Sequence, residues 1–565
     1  MSRPSRFNRR PQRADARFAT AQRVGAVLLA VAATLLPIHS ASAASTAQIL
    51  GTGSSWSANA INQWIADVHA QGLQVVYTPV GSAQGRTDYA AYQNDFAGSD
   101  IGYQGTDSQS GAQDVSNRPY AYLPVAAGGT AFPYQIVVGG KRITNLRLSG
   151  PTLAGIFTGQ ITNWNDPTIT KDNNGVKLPS KTIIPVVHSE GAGSTAQFTR
   201  YLATEFPALW NSFNGSPGMT EYYPVKGHMV AASGSDGVMN YVTSKAGDGT
   251  ISYDEYSYAL GAGYPVAKIE NKAGVFTLPT QFNDAVALTQ AQINMNPASP
   301  DYLLQNLDKV YTYSDPRTYP LSSYSYAIIP TDPNDSRMTV SKRQTLVDFL
   351  SYSICTGQSE LGPIGYSSLP LNLVQAGFTQ IAKLQTSDKK VTLSAKPIAT
   401  CHNPTFDPAK PTSNKLALIA PMPPACDHAG RGPCGDDTST GAANNSPTAT
   451  TGKTASTSNS GKVAEAGSLT NTAGAATGGG AGAGAAKATK AAAIDPETGQ
   501  PVSDSSGDGS GADSTVAPTG AELAAYKSPS SNTPYAYLAG VMLLLVLVVP
   551  PLVMRRLRRP NGDTR

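Results

Sequence analysis

The sequence has few charged residues and no basic surplus outside its two ends. Charged residues make up 14% of the 565 positions, and the formal net charge is +4. Residues 1–44 carry a net charge of +6 and residues 554–565 carry +4, which leaves −6 for the chain between them. Because affinity for a phosphate backbone needs a basic surface, this distribution argues against a nucleic-acid-binding body.

Long apolar stretches are also scarce. Apolar residues make up 40% of the chain, which excludes a polytopic membrane protein but leaves enough residues for two globular domains. Near the N-terminus, seven arginines precede a 15-residue apolar run, Val24 to Ile38, and small residues follow at positions 41–44. This pattern predicts a signal peptide over residues 1–44, with a retained N-terminal anchor as the alternative.

A second apolar stretch lies near the C-terminus. Tyr535 to Met554 has about 20 mostly apolar residues, enough for one transmembrane helix. The arginines that follow predict that residues 555–565 form a basic cytoplasmic tail, so that the body is extracytoplasmic and the protein spans the cell membrane once. A buried core helix is the alternative interpretation.

Cysteine is rare, and its spacing excludes a zinc site of the usual kind. The four cysteines are Cys355, Cys401, Cys426 and Cys434, all in the predicted exported part. No second pair of Cys or His completes a metal-binding pattern, so we expect neither a metal nor a cofactor. An even count in an oxidising compartment favours disulfides, and we favour the pairs Cys426–Cys434 and Cys355–Cys401.

Large apolar residues nearly disappear after Cys434. Between residues 441 and 490 only Val463 and Leu469 are large and apolar. Such a stretch cannot bury enough surface to offset its ordering entropy, so residues 435–534 are predicted to form a disordered tether.

The remaining body alternates strand and helix patterns. Apolar runs at Gln74–Tyr77, Ala131–Val138 and Ile183–Val187 predict buried strands. Ile61, Trp64, Ile65 and Val68 have the spacing of an amphipathic helix, and Phe198, Tyr201 and Leu202 begin another. Alternation of this kind predicts an α/β fold.

Three turns rich in glycine and serine each lead from a predicted strand into a predicted helix. They lie at Ile49–Ser55, Pro79–Arg86 and Val187–Thr195. A helix N-terminus offers unpaired N–H groups and a partial positive charge, so three of them together can bind an oxyanion without lysine. Ordinary helix capping is the alternative.

A fourth segment, Asp95–Asp100, adds a carboxylate. An ionised Asp100 repels an anion unless the anion has a proton to donate, which phosphate has at neutral pH and sulfate lacks. An unpaired buried acceptor is costly, so Asp100 is predicted to discriminate between the two anions. The alternative is a simple turn residue.

Together these four segments resemble the phosphate-binding proteins of the Pst ABC transporter, the PstS family. Further stretches that resemble the family are Leu148–Pro167, Gly249–Ala259, Tyr319–Leu321 and Gly365–Pro370, so the resemblance covers about Ile49 to Val374. It implies a two-lobe, type II periplasmic-binding-protein fold with hinge crossovers. Lobe 1 is expected over residues 45–130 and 319–400, lobe 2 over 131–318, and a cysteine-containing extension over 401–434.

The resemblance also implies the residues that bind phosphate. They are Ser54, Ser55, Trp56, Ser82, Asp100, His188, Gly193 and Ser194, with Arg86 and Glu190 as possible additional members. The family usually has Arg at position 188, Asp at 190 and Ser at 192, where this chain has His, Glu and Ala. A lost charged hydrogen bond costs about 1.5–3 kcal/mol, so the affinity is expected to differ from the family's. Arg86 either supplies the missing charge or is a surface arginine.

The function predicted from these features is extracytoplasmic binding of inorganic phosphate and its delivery to an ABC permease of the Pst type. The alternative is a surface-displayed domain for sensing or adhesion with weakened or altered anion specificity. His188, Ser189 and Glu190 match the residue types of a hydrolase triad, but neighbours in an extended segment point to opposite faces. The chain also lacks a G-x-S-x-G motif, and it is therefore not predicted to be an enzyme.

Overall fold

The computed structural model describes residues 46–106, 113–393 and 398–434. The predicted signal peptide, tether, transmembrane helix and cytoplasmic tail lie outside these residues. Within the described ranges, no helix has both the length and the apolar character needed to cross a membrane.

The described residues form eighteen strands and thirteen α-helices. The strands are β1 Ile49–Gly53, β2 Val75–Thr78, β3 Phe96–Ser99, β4 Gly105–Thr106, β5 Gln113–Asp114, β6 Tyr120–Ala131, β7 Val137–Val138, β8 Lys141–Arg142, β9 Arg147–Leu148, β10 Ile184–His188, β11 Val230–Ala232, β12 Thr250–Ser252, β13 Asp254–Glu255, β14 Lys268–Glu270, β15 Phe276–Thr277, β16 Gln292–Ile293, β17 Gln305–Asn306 and β18 Ser322–Pro330. The helices are α1 Ala58–His69, α2 Ser82–Ala90, α3 Gly150–Phe157, α4 Pro167–Asp172, α5 Gly193–Glu205, α6 Pro207–Asn214, α7 Gly234–Thr243, α8 Tyr256–Ala262, α9 Gln281–Ala287, α10 Asp308–Tyr311, α11 Val340–Ile354, α12 Leu371–Ser387 and α13 Lys415–Ile419.

The largest sheet has six strands in the order β13-β6-β18-β3-β1-β2. Strands β2, β1 and β3 are parallel and are joined through α1 and α2, whereas β18 runs antiparallel to both β3 and β6. Because β18 comes from the C-terminal part of the body, it places residues 322–330 beside the N-terminal strands. We call this six-stranded sheet the first sheet.

A separate parallel sheet has the order β11-β10-β12, and we call it the second sheet. A further three-stranded sheet has the order β15-β14-β9. The parallel strands of the second sheet are joined by helices, as the alternation of strand and helix patterns predicts. The described residues therefore build α/β structure around two main sheets, which confirms the predicted fold class.

The predicted helical stripes are confirmed. On α1, Ile61, Trp64 and Val68 are buried, and the Trp64 indole N–H donates to the carbonyl of Gly357 at 2.9 Å. On α5, Phe198, Tyr201 and Leu202 are buried. The predicted strands at 74–77 and 183–187 appear as β2 and β10, each shifted by one residue.

The strand predicted over Ala131–Val138 is wrong. The structure has a twelve-residue strand, β6, that ends at Ala131, followed only by isolated bridges and the two-residue β7. Pro133 is the physical reason, because proline has no N–H with which to continue the ladder. Tyr134 then bridges to Ile251, so the chain leaves the first sheet and reaches the second at this point.

Both predicted disulfides are confirmed. Cys355, just after α11, is bonded to Cys401, and Cys426 is bonded to Cys434. Between the two disulfides, α13 packs Leu416 against α9. Inside the loop closed by Cys426 and Cys434, Asp427 forms a buried ion pair with the Lys268 ammonium at 2.7 Å. The extension thus contacts the body at both of its ends.

Candidate anion-binding site

All three predicted turns lead from a strand into a helix N-terminus. Residues 54–57 join β1 to α1, residues 79–81 join β2 to α2, and residues 189–192 join β10 to α5. Ser54, Ser55, Ser82 and Ser194 are all buried there. Because the carboxyl ends of parallel strands lie at one edge of a sheet, the first two turns are neighbours in space.

Asp100, directly after β3, brings the first two turns together. Its carboxylate accepts hydrogen bonds from Ser54 Oγ at 2.8 Å to each oxygen and from Ser82 Oγ at 3.2 Å. A third hydroxyl, Ser325 Oγ, donates to Oδ1 at 2.6 Å. The carboxylate is 2% exposed at most, so these serines take the place of water around it.

Burial raises the pKa of the Asp100 carboxyl. The hydrogen bonds from Ser325, Ser54 and Ser82, and the positive charge of Arg86, act in the opposite direction by favouring the ionised form. Burial of Asp100 therefore disfavours its negative charge, and the three serine hydroxyls stabilise that charge.

The third turn approaches the same carboxylate closely. A Cβ at Gly193 would lie 2.3 Å from Asp100 Oδ2 and 2.6 Å from Ser82 Oγ, so only glycine fits at the start of α5. One turn further along α5, Gln197 Nε2 donates to the Asp100 carbonyl at 2.8 Å. Ser54, Ser82, Asp100 and Gly193 thus meet at one place, and the third turn comes from the second sheet.

Ser55 and Trp56 face a different neighbour. Ser55 Oγ accepts from Ser235 Oγ at 2.9 Å, and its carbonyl accepts from the Tyr258 hydroxyl at 2.6 Å. The Trp56 carbonyl accepts from the Tyr366 hydroxyl, whereas its buried indole N–H has no partner among the described residues. Both residues lie in the first turn, and these hydrogen bonds join it to α7, α8 and Tyr366.

His188, the last residue of β10, is held by Glu190. Its Nδ1 lies 2.7 Å from Glu190 Oε1, and the other oxygen of Glu190 accepts from the Gly234 N–H at 3.0 Å. Burial disfavours the charged ring, but the bond to Glu190 and the negative charges of Asp254 and Glu190 raise the pKa of His188. His188 Nε2 is buried and has no partner among the described residues.

Arg86 is fully buried on α2, so the surface-arginine alternative is wrong. Its guanidinium bonds Asp114 at 2.9 Å, Glu221 at 2.6 Å and Ser99 at 3.0 Å. All three nitrogens are therefore occupied by protein groups in this structure. The Arg86–Glu221 pair also links α2 of the first sheet to the segment after α6.

Two residues that form hydrogen bonds with predicted site residues, Ser235 with Ser55 and Ser325 with Asp100, were missed by sequence reasoning. Ser235 opens α7 after β11, and Ala232-Ser233-Gly234-Ser235 repeats the strand–glycine–serine–helix pattern, so the signal was present in the sequence. Ser325 has no such signal. It lies beside a bulge in the pairing of β18 with β6, and a bulge changes the direction in which a side chain points.

Comparisons with known proteins address the family of this chain. A family model described as a PBP superfamily domain matches residues 39–356. The phosphate-binding protein PstS 3 of Mycobacterium tuberculosis is 32% identical over 327 residues, covering 56% of this chain and 82% of that protein. The phosphate-binding protein PstS of Xylella fastidiosa is 29% identical over 339 residues, covering 60% of this chain and 85% of that protein.

Among solved structures, a high affinity periplasmic phosphate-binding protein (PfluDING) bound with phosphate matches with a TM-score of 0.47 and 20% identity, covering 63% of this chain and 98% of that one. The family match extends over more than half of the chain and includes both main sheets. These relatives are binding proteins and not enzymes. The chain therefore belongs to the PstS family of the PBP superfamily and has its two-lobe, type II periplasmic-binding-protein fold.

Proposed function

We propose that this protein binds inorganic phosphate outside the cytoplasm and delivers it to an ABC permease of the Pst type. The observation that carries the proposal is the meeting of three helix N-termini at Asp100, with Gly193 in contact range of Asp100 and Ser82. Backbone N–H groups at such ends bind an oxyanion without a lysine, which suits the acidic body.

The proposed phosphate ligands come from both sheets. They are Ser54, Ser55, Trp56, Ser82, Asp100, His188, Gly193 and Ser194. Glu190 is proposed to orient His188, and Arg86 to act at a distance by favouring the ionised form of Asp100. The lobes are proposed to comprise residues 45–130 with 319–400, and 131–318, followed by the extension 401–434.

Asp100 is proposed to select phosphate over sulfate. When the lobes close on the anion, one serine hydroxyl can turn from the carboxylate to the ligand, and Asp100 then accepts a hydrogen bond from the protonated oxygen of phosphate. Sulfate has no such proton at neutral pH, so it would leave a buried carboxylate facing an anion. Because the wrong anion leaves a buried carboxylate unpaired, the ratio of the two affinities can reach orders of magnitude.

The sensing or adhesion alternative is not favoured. It was motivated by the departures at positions 188 and 192 and by the predicted C-terminal anchor. At the first of these positions, His188 retains an acidic partner and a raised pKa, which favour its role as a cationic anion ligand. The membrane helix at 535–554 and the tether at 435–534 are proposed to hold the binding domain near its permease. For the proposed tether of about 100 residues, a flexible coil would have an rms reach of about 50–60 Å.

Calorimetric titration of the full-length protein tests the proposal. Phosphate and arsenate are expected to bind and sulfate to bind far more weakly, because arsenate shares the geometry and the protonation of phosphate. Ser82→Ala is expected to weaken phosphate binding, whereas the exposed Ser180→Ala is the matched control and is expected to have no effect. A dissociation constant for phosphate above about 1 mM would contradict the proposal.

A further inference from the structure

The two ring nitrogens of His188 have different surroundings. Nδ1 lies 2.7 Å from a carboxylate oxygen of Glu190, whereas Nε2 has no partner among the described residues. The side chain is 0% exposed, so this nitrogen is removed from bulk solvent. A buried nitrogen without a partner is uncommon in proteins and calls for an explanation.

The chemistry of imidazole restricts what Nε2 can do. A neutral ring has one N–H and one lone pair, and a carboxylate can only accept a hydrogen bond. The proton of a neutral His188 is therefore on Nδ1, facing Glu190, and Nε2 presents a lone pair. In the proposed function the proton of phosphate is donated to Asp100, and a lone pair repels the remaining unprotonated oxygens. Nε2 can therefore donate to the anion only when the ring carries a second proton.

The charged groups around the ring favour that second proton. Glu190 faces it from the turn after β10, with its second oxygen fixed by the Gly234 N–H. Asp254 acts on it from β13, and burial, which is offset in part by the charge of His188, raises the pKa of Asp254 to about 6. The Tyr253 hydroxyl lies 3.5 Å from the His188 backbone nitrogen, and its ring lies 5.5 Å from the imidazole.

A third carboxylate, that of Asp100 after β3, lies against Gly193 at the start of α5. Against the effect of burial, the carboxylates of Glu190 and Asp254 raise the pKa of His188. A buried ring beside two carboxylates is stabilised as a cation, and its free nitrogen can then donate to an anionic ligand.

We propose that His188 binds phosphate only as an imidazolium, so that the protein takes up a proton from solvent when it binds phosphate at mildly alkaline pH. This inference rests on the proposed function and makes phosphate binding at the same site depend on pH. The proton comes from the buffer and goes to Nε2, which then donates to a phosphate oxygen, and no other bond is made or broken.

A direction of pH dependence follows. Above the pH at which His188 of the free protein titrates, phosphate binding must include protonation of the ring. For one linked proton the affinity then falls by at most about tenfold per pH unit.

Titration calorimetry of the full-length protein with inorganic phosphate in two buffers of different ionisation enthalpy measures the proton uptake directly. Wild type is compared with His188→Arg, whose guanidinium keeps its charge at every pH used, and with His188→Gln, which has no charge to gain. Phosphate's own change of protonation is common to all three proteins and cancels in the comparison. Between pH 7 and 8.5 wild type is expected to take up more protons than either variant.

The possible outcomes separate this inference from the function on which it rests. Equal proton uptake by wild type and His188→Arg, with phosphate bound by both, would overturn the role of the imidazolium. Failure of wild type to bind phosphate at any pH would instead contradict the proposed function.

A spectroscopic measurement on the wild-type protein does not depend on whether the variants fold. Full-length protein with ¹⁵N-labelled histidine is observed by NMR at pH 8 before and after phosphate is added. One buried ring is expected to change from a neutral to a doubly protonated nitrogen pattern. Rings that all keep their pattern while phosphate binds would overturn the inference.

Discussion

The two sheets contribute opposite chemistry to the candidate site. On the first sheet, Asp100 is a buried anion surrounded by three serine hydroxyls. On the second sheet, His188 is a buried base held by Glu190, with one nitrogen left without a partner. The first side is satisfied by protein groups alone, whereas we propose that a bound ligand completes the second.

This difference suggests a division of labour between the two sides. A carboxylate whose donors are already in place discriminates between anions, because any ligand must give a hydrogen bond as good as the one it displaces. A cation with a free donor contributes affinity instead. The predictions below separate the two contributions, beginning with a change that affects both.

Gly193→Ala is expected to have the largest effect. The new Cβ would lie within 2.6 Å of both Asp100 Oδ2 and Ser82 Oγ, at the point where the two sides meet. Overpacking of this kind typically costs about 1–3 kcal/mol. Where that cost falls on the phosphate-bound state, the affinity for phosphate should fall by about five- to 150-fold. Calorimetric titration measures the loss.

Gly261→Ala is the matched control for that experiment. Gly261 lies on α8, and an added Cβ would meet nothing within 4 Å. Alanine is the better helix former, so this variant should bind phosphate normally and unfold at the same or a slightly higher temperature. Normal phosphate binding by Gly193→Ala would show that the contact of the two sides is not needed.

Asp100→Asn is expected to change selectivity more than affinity for phosphate. The amide can donate to an anion, so sulfate no longer faces an unpaired carboxylate. The preference for phosphate over sulfate should narrow by about ten- to a hundred-fold, the range that follows from an unpaired buried group of 1–3 kcal/mol. Competition of sulfate against bound phosphate measures the change.

The exposed Asp301→Asn serves as the control and should leave the preference unaltered. An unchanged preference in Asp100→Asn would place selectivity elsewhere. If so, the first side of the site would act only as a structural hub for its three serines.

Glu221→Gln tests the link between the two sides. Glu221 supplies one of the two carboxylates that pair with the fully buried Arg86, at 2.6 Å. Asp114 still pairs with Arg86 in the variant, so the loss of stability should be moderate, about 1–2 kcal/mol, as for one weakened charged hydrogen bond. Denaturant unfolding measures it, with the exposed Glu360→Gln as the control.

Local patterns were enough to predict the helices and turns of the site. The apolar spacing of α1 and α5 and the glycine–serine turns before α1, α2 and α5 lie within short stretches of sequence, and the structure has each of them. The short loop closed by Cys426 and Cys434 was predicted in the same way. These features depend on neighbours along the chain, which a sequence displays directly.

Long-range partners could not be predicted from such patterns. Ser235 meets Ser55 across 180 positions, and Ser325 meets Asp100 across 225. The position of Ser325 further depends on the bulge between β6 and β18, which is a property of a strand pair and not of either strand. The acidic partners of Arg86 were missed for the same reason, and an arginine that the sequence allowed to be a surface residue is fully buried.

Ser325→Ala is expected to have the smallest effect, a loss of folding stability. The pH dependence of that loss shows whether it comes from the charge of Asp100. Removing one of three donors should raise the pKa of Asp100 beyond the value that burial already gives it. A carboxyl whose pKa is raised in the folded state binds more protons folded than unfolded, so folding stability falls as the pH rises through that interval. The variant should therefore be less stable than wild type by about 1 kcal/mol at pH 7.5, with a smaller difference at pH 4.5, where Asp100 is more nearly protonated in both proteins. Denaturant unfolding at the two pH values measures both differences, and an equal loss at both would mean that Ser325 contributes by packing and not by holding the charge of Asp100.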